Sequence, residues 1–163
     1  GVLIATGKAS AWASKQGLIS LKTKETLLEK ADSLSVYRSF ADKAEAKAGK
    51  LIKGVILNCH LDKTHPLAWG PDQDEIAVIK TNDIIFQNDR DPYISPLYYT
   101  KKPLLSGFLS ADNANLLREE PAIMVKPYRS GKVIVFADDM NFRSYFFGTS
   151  KLFMNALFYN KCM

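Results

Sequence analysis

Residues 131–159, GKVIVFADDMNFRSYFFGTSKLFMNALFY, constrain the fold of this chain more than any other stretch. Val133, Ile134, Val135, Phe136 and Ala137 form an unbroken apolar run, the mark of a strand covered on both faces. Asp138 and Asp139 end it. A helix is expected over 149–160, with Leu152, Phe153, Ala156 and Leu157 as its buried stripe. A twice-covered strand that runs into an amphipathic helix belongs to a layered α/β domain.

The rest of the chain repeats that grammar. Val2, Leu3, Ile4, Ala5 and Thr6 read as a buried parallel strand closed by Gly7. A short helix over 9–16 follows, with Ser10 as its candidate N-cap and Gly17 as its stop. Residues 18–24 suit a short strand or a loop. The longest helical signal covers 26–53, with Ser33 and Ser35 as breaks in it. Residues 54–59 are the next strand. Residues 60–70 form a loop, because Pro66 and Gly70 punctuate them. Residues 76–79 and 84–87 flank Thr81, Asn82 and Asp83 and suggest an antiparallel hairpin. Residues 88–103 read as irregular and aromatic. A polar helix over 112–119 is capped by Ser110 or Asp112, and a hairpin pairs 122–127 with 132–137. This order predicts one domain over residues 1–163, three-layered, with a mixed sheet.

Composition narrows the function. With 47% hydrophobic and 24% charged residues the chain is ordinary for a globular protein. Its net charge of +5 is scattered, and the lysines of 43–53 alternate with Ala and Glu as on a solvated helix face. No nucleic-acid surface is expected from that pattern. No run of 18 apolar residues occurs, so no membrane-spanning helix is expected. The abrupt start in an apolar strand suggests a fragment of a longer polypeptide. Cys59 reads as a buried thiol and Cys162 as a residue near a frayed end.

Three groups of residues could carry chemistry. His60, Asp62 and His65 share one loop and offer a metal or acid–base site, against the plainer reading that they fix the turn before Pro66. Asp138, Asp139 and Arg143 stand at the carboxyl end of a strand, where α/β sheets bind ligands. Against this, Asp139 or Asn141 caps the next turn and Arg143 neutralises an aspartate. Ser10, in the turn after the first strand, could be a nucleophile served by His60 or His65, although no Gly-x-Ser-x-Gly elbow is present. Cys59 and His60 are a poor dyad, since neighbouring strand residues face opposite ways. The aromatic series Tyr93, Tyr98, Tyr99, Phe108, Tyr145, Phe146 and Phe147 suits a core, an interface, or a carbohydrate or peptide surface around 93–99.

Several blocks together carry a resemblance: GVLIATG from Gly1, GVILNCHLDKTHPLAWG from Gly54, PLLSGFLS from Pro103, and the stretch from Gly131. The chain resembles the C-terminal region of large secreted bacterial zinc carboxypeptidases of the carboxypeptidase A-like metallopeptidase family. That region is similar to the class I glutamine amidotransferase-like domain, a flavodoxin-like α/β fold. The resemblance implies a parent that removes C-terminal residues from peptides with zinc held by His, Glu and His in an upstream domain. It implies no cofactor in this chain, an export destination in the periplasm or beyond, and the upstream peptidase domain as partner. An active amidotransferase-like domain uses Cys at a strand–turn–helix elbow and His-x-Glu after a later strand. Here those places read Gly7-Lys8-Ala9-Ser10 and Ala137-Asp138-Asp139, which implies a non-catalytic domain. The family domain carries strands before 2–6, so a truncated sheet edge is expected, and such an edge could pair with a second copy as a homodimer. An independent amidase or hydrolase, or a carbohydrate- or peptide-binding module, is the alternative function.

Overall fold

The computed structural model describes residues 1–24, 39–144 and 146–163. The helical signal of 26–38 and Tyr145 lie outside the described residues. Eight strands are described: β1 Val2–Thr6, β2 Thr23–Lys24, β3 Val55–Leu61, β4 Glu75–Lys80, β5 Ile85–Phe86, β6 Leu97–Ser106, β7 Pro121–Tyr128 and β8 Gly131–Phe136. With them go four α-helices: α1 Lys8–Lys15, α2 Lys43–Lys50, α3 Ala111–Leu117 and α4 Phe147–Phe158.

Six strands form one mixed sheet in the order β1-β8-β7-β6-β3-β4, and β2 pairs with β5 in a separate ribbon. β1 runs parallel to β8, while the other neighbours in the sheet are antiparallel. Alternation sends each strand's residues to two cores. Ile134 and Phe136 of β8 join Leu57, Cys59, Val78, Leu97 and Tyr99 under α3 and α4. Val133, Val135 and Ala137 face the other way, against Ala13 of α1, Ile19 and Phe86. Two covered faces make the architecture α/β and compatible with three layers.

The hairpin of β7 and β8 turns through Arg129 and Ser130, with Tyr128 opposite Gly131. Ser110 caps α3 by accepting from the Asn113 amide at 3.3 Å. Other expectations are corrected. β1, expected to be a buried strand, is only partly buried, with Val2 37% exposed. Ser10 is inside α1 rather than its cap, and Gly7 takes the N-cap place at φ 49°. The segments 76–79 and 84–87 do not pair with each other, because β4 adds to β3 and β5 adds to β2. Residues 97–103, expected to be irregular, belong to the long strand β6 Leu97–Ser106. Pro103 fits there because the ladder to β3 is broken by register shifts between Leu57 and Cys59, so no amide is needed from it. The helix α4 begins two residues earlier than expected, and Leu157 points out of its buried stripe at 45% exposure.

Candidate functional site

The sheet curls. Lys80, last residue of the edge strand β4, meets Asp138, just past β8 beside the opposite edge. Lys80 lies on the inward row of Ile76 and Val78, and Asp138 continues the inward row of Ile134 and Phe136. Tyr99 reaches the same point from β6. All three side chains are completely buried.

Their bonds close on one another. Lys80 Nζ donates to Asp138 Oδ1 at 2.9 Å, to the Ile84 carbonyl at 2.6 Å and to the Tyr99 hydroxyl oxygen at 3.3 Å. The Tyr99 hydroxyl donates to Asp138 Oδ2. The three ammonium protons and both carboxylate oxygens are thus occupied, as a buried ion pair requires. Burial, then the charge of Asp138, pushes the Tyr99 hydroxyl well above its ordinary value, so it stays a donor. Cys59, opposite Tyr99 across the ladder, is also sealed and free of disulfide. Burial, then the field of Asp138, raises its thiol well above the ordinary range, with Lys80 opposing. A thiol held protonated is a poor nucleophile. Cys162 is free and exposed, so the two cysteines do not pair.

The group Asp138, Asp139 and Arg143 is therefore not one polar cluster. Asp138 is buried on Lys80, while Asp139 is exposed and its Oδ1 accepts from the Asn141 amide at 3.0 Å. That cap was legible in the sequence. Arg143 is exposed, lies over the Phe142 ring at 5.2 Å and, among the described residues, forms no ion pair with either aspartate. The neutralising cation is Lys80, which the sequence reading missed. The available signal was parity: two residues beyond Val78, a strand lysine must point into the core.

His60, Asp62 and His65 are also held apart by structural duties. His60 is half-buried on β3, with its ring 5.0 Å from that of Tyr98. Asp62 accepts from the Thr64 hydroxyl at 2.6 Å and from the Thr64 amide at 3.0 Å, and the hydroxyl bond above all holds its carboxyl below the usual range. His65 Nδ1 accepts from the Leu67 amide at 3.1 Å and so caps the 3-10 turn Pro66–Ala68. No group of three or more metal-ligating side chains occurs among the described residues.

The His65 cap has a consequence for acid stability. Burial first, with a contribution from Lys132, pulls its pKa below the ordinary 6.5. Its folded-state pKa is depressed, so its contribution to stability is complete above 6.5 and is lost as pH falls through the folded value. Protonation turns Nδ1 from acceptor into donor and breaks the Leu67 bond. Thermal melts between about pH 7.5 and about pH 5 should fall more steeply for the native chain than for His65→Asn, whose side-chain oxygen accepts without titrating. Equal slopes would remove the cap from the acid response.

The remaining candidates are likewise committed. The Ser10 hydroxyl donates to the carbonyls of Ala5 at 3.1 Å and Phe136 at 3.2 Å in a buried site. The aromatic stretch 93–99 divides: Tyr93 is exposed, Tyr98 is half-buried and Tyr99 is core. Beside Tyr98 lies a cavity of about 300 Å³ whose carboxylates are engaged. Asp89 pairs with Lys126, Asp91 caps the Tyr93 amide, and Glu119 stands 3.8 Å from Lys101. Comparison with protein-family models, curated proteins and solved structures finds no match to this chain.

Proposed function

We propose that the chain is a non-catalytic accessory domain of a secreted zinc carboxypeptidase-like protein, packing on an upstream peptidase domain that holds the zinc and hydrolyses C-terminal peptide bonds. In this reading the α/β architecture is a flavodoxin-like, class I glutamine amidotransferase-like domain whose sheet would continue past β1. The periplasm or the cell exterior is then its place of work.

One observation carries the reading. In an α/β sheet the ligand crevice lies beyond the carboxyl ends of parallel strands. Here that position, at the ends of β1 and β8, is filled. Asn82 Nδ2 donates to the Ala137 carbonyl at 2.9 Å, Ser10 bonds Phe136, and Lys80 with Tyr99 occupies Asp138. The side chains that could have done chemistry hold the strand ends together instead. Among the described residues no strand pairs with the outer edge of β1, which supports the sheet-extension part of the reading, since a further strand would have backbone groups to pair with there.

The test is a peptidase and glutaminase assay on the purified chain with added zinc. No turnover is expected. Turnover that disappears in His65→Ala or Ser10→Ala would overturn the proposal in favour of an independent hydrolase.

A further inference from the structure

Helix α4 is built inside out. Its inward face carries Thr149, Leu152, Asn155 and Ala156, two of them polar and tied to backbone carbonyls. Its outward face carries Phe147 at 85% exposure, Phe158 at 72%, Leu157 at 45% and Met154 at 44%. Lys151 is the one charged residue in the helix. A helix that carries this much apolar surface on its solvent side is normally covered there.

The exposed residues form an ordered seam. Phe147, Lys151, Met154 and Phe158 are spaced four, three and four residues apart, the a/d pattern of a helix that packs on another helix. The Lys151 stem does not stand in the way. It lies flat across Gly70, so close that a Cβ on Gly70 would sit 2.8 Å from Lys151 Cε. Trp69 and Tyr159, with ring centroids 5.6 Å apart, widen the patch beside the helix and are 44% and 41% exposed. With an aromatic side chain able to bury roughly 150–250 Å², these six apolar residues present on the order of 600–700 Å². That is above the largest apolar patch of an ordinary monomer, about 300–600 Å². It approaches the roughly 800 Å² that each partner gives to a stable interface.

We infer that this face is covered by a second copy of the chain, with the two α4 helices crossing antiparallel about a two-fold axis between Lys151 and Met154. The seam is self-complementary in that register. Phe147 meets Phe158 of the second copy, and Lys151 meets Met154 of the second copy, so the two lysines do not oppose each other. The patch itself contains no carboxylate, so an apolar helix suits it better than a cationic partner. The inference is independent of the proposed accessory role, and it places the dimer contact on α4 rather than on the open edge of β1.

Sedimentation velocity on the full chain tests it. At about 100 µM the native chain should run at twice the monomer mass, shifting to monomer on dilution. Phe158→Asp and Phe147→Asp should each give a monomer with unchanged far-UV circular dichroism, since both positions are in solvent. The double variant Phe147→Asp/Phe158→Lys should recover the dimer, because each new aspartate then faces a lysine of the other copy. A native chain that stays monomeric, a dimer that survives both single variants, or a double variant that stays monomeric would overturn the inference. So would a monomer that co-sediments with phosphatidylglycerol vesicles through this face, since that result assigns α4 to a lipid surface.

Discussion

Replacing Lys80 by Met is expected to destabilise the fold by about 3–5 kcal/mol, because it strands the fully buried Asp138 carboxylate without a counter-charge. The magnitude follows from how completely the group is enclosed. Lys80 and Asp138 are both at 0% exposure, and Asp138 has no other cation within an ion-pair distance among the described residues. Asp138→Leu should do similar damage from the other side by leaving a buried ammonium with the Ile84 carbonyl and the Tyr99 hydroxyl alone. The double variant Lys80→Met/Asp138→Leu should recover most of the loss, since removing a whole buried pair in favour of apolar volume is often close to neutral. Tyr99→Phe added to it removes the hydroxyl that would otherwise be orphaned. Urea unfolding with an unchanged m-value gives the four stabilities, and the double-mutant cycle gives the coupling. Additive single losses would mean that the pair does not act as a unit and would sink the account of the strand-end plug.

The same residues show where sequence reasoning succeeds and where it stops. A strand with an uninterrupted apolar run, such as β8, announces itself, and the Val55-Ile56-Leu57 start of β3 does nearly as much. The Ser110 cap and the Arg129–Ser130 turn are local chemistry and are equally legible. Strand pairing is different. The apolar run in 76–79 says that a strand exists there, but that it pairs with β3 rather than with 84–87 is decided by packing outside the run. Likewise the first part of β6 reads as irregular because Pro92 and Pro96 stand just before it, and only the broken register with β3 shows why Pro103 is tolerated within it. The site was half legible. Asp138 was visible as a carboxylate at a strand end, and Arg143, five residues on, was the obvious local partner. The true partner lies 58 residues away in sequence and is brought in by the curl of the sheet. Parity along Ile76, Val78 and Lys80 could have exposed a buried lysine, although not the aspartate it meets.

The second large effect concerns how α4 is fastened. Asn155→Ala is expected to cost about 2–3 kcal/mol, more than removing an exposed apolar residue from the same helix. Asn155 is 2% exposed, and its Nδ2 donates to the Leu67 carbonyl at 2.9 Å and to the Trp69 carbonyl at 2.6 Å. Those carbonyls belong to the turn that His65 caps, so one amide group joins the helix to the 65–70 segment. Without it the Leu67 carbonyl is left buried and unpaired, which is where most of the penalty arises. The Trp69 carbonyl is less enclosed and can turn to water, which keeps the estimate below twice the single-bond figure. Asn155→Asp should not rescue, because a carboxylate offers these carbonyls no donor and adds a buried charge. Asn155→Gln supplies the donor on a longer arm and should recover part of the loss. Chemical denaturation of the three variants decides the matter. If Asn155→Ala proved neutral, Thr149, Leu152 and Ala156 would suffice to hold the helix, and the turn would be free to move independently of it. An Asn155→Asp variant as stable as the native chain would show that the turn carbonyls reach solvent, contrary to their burial against the helix.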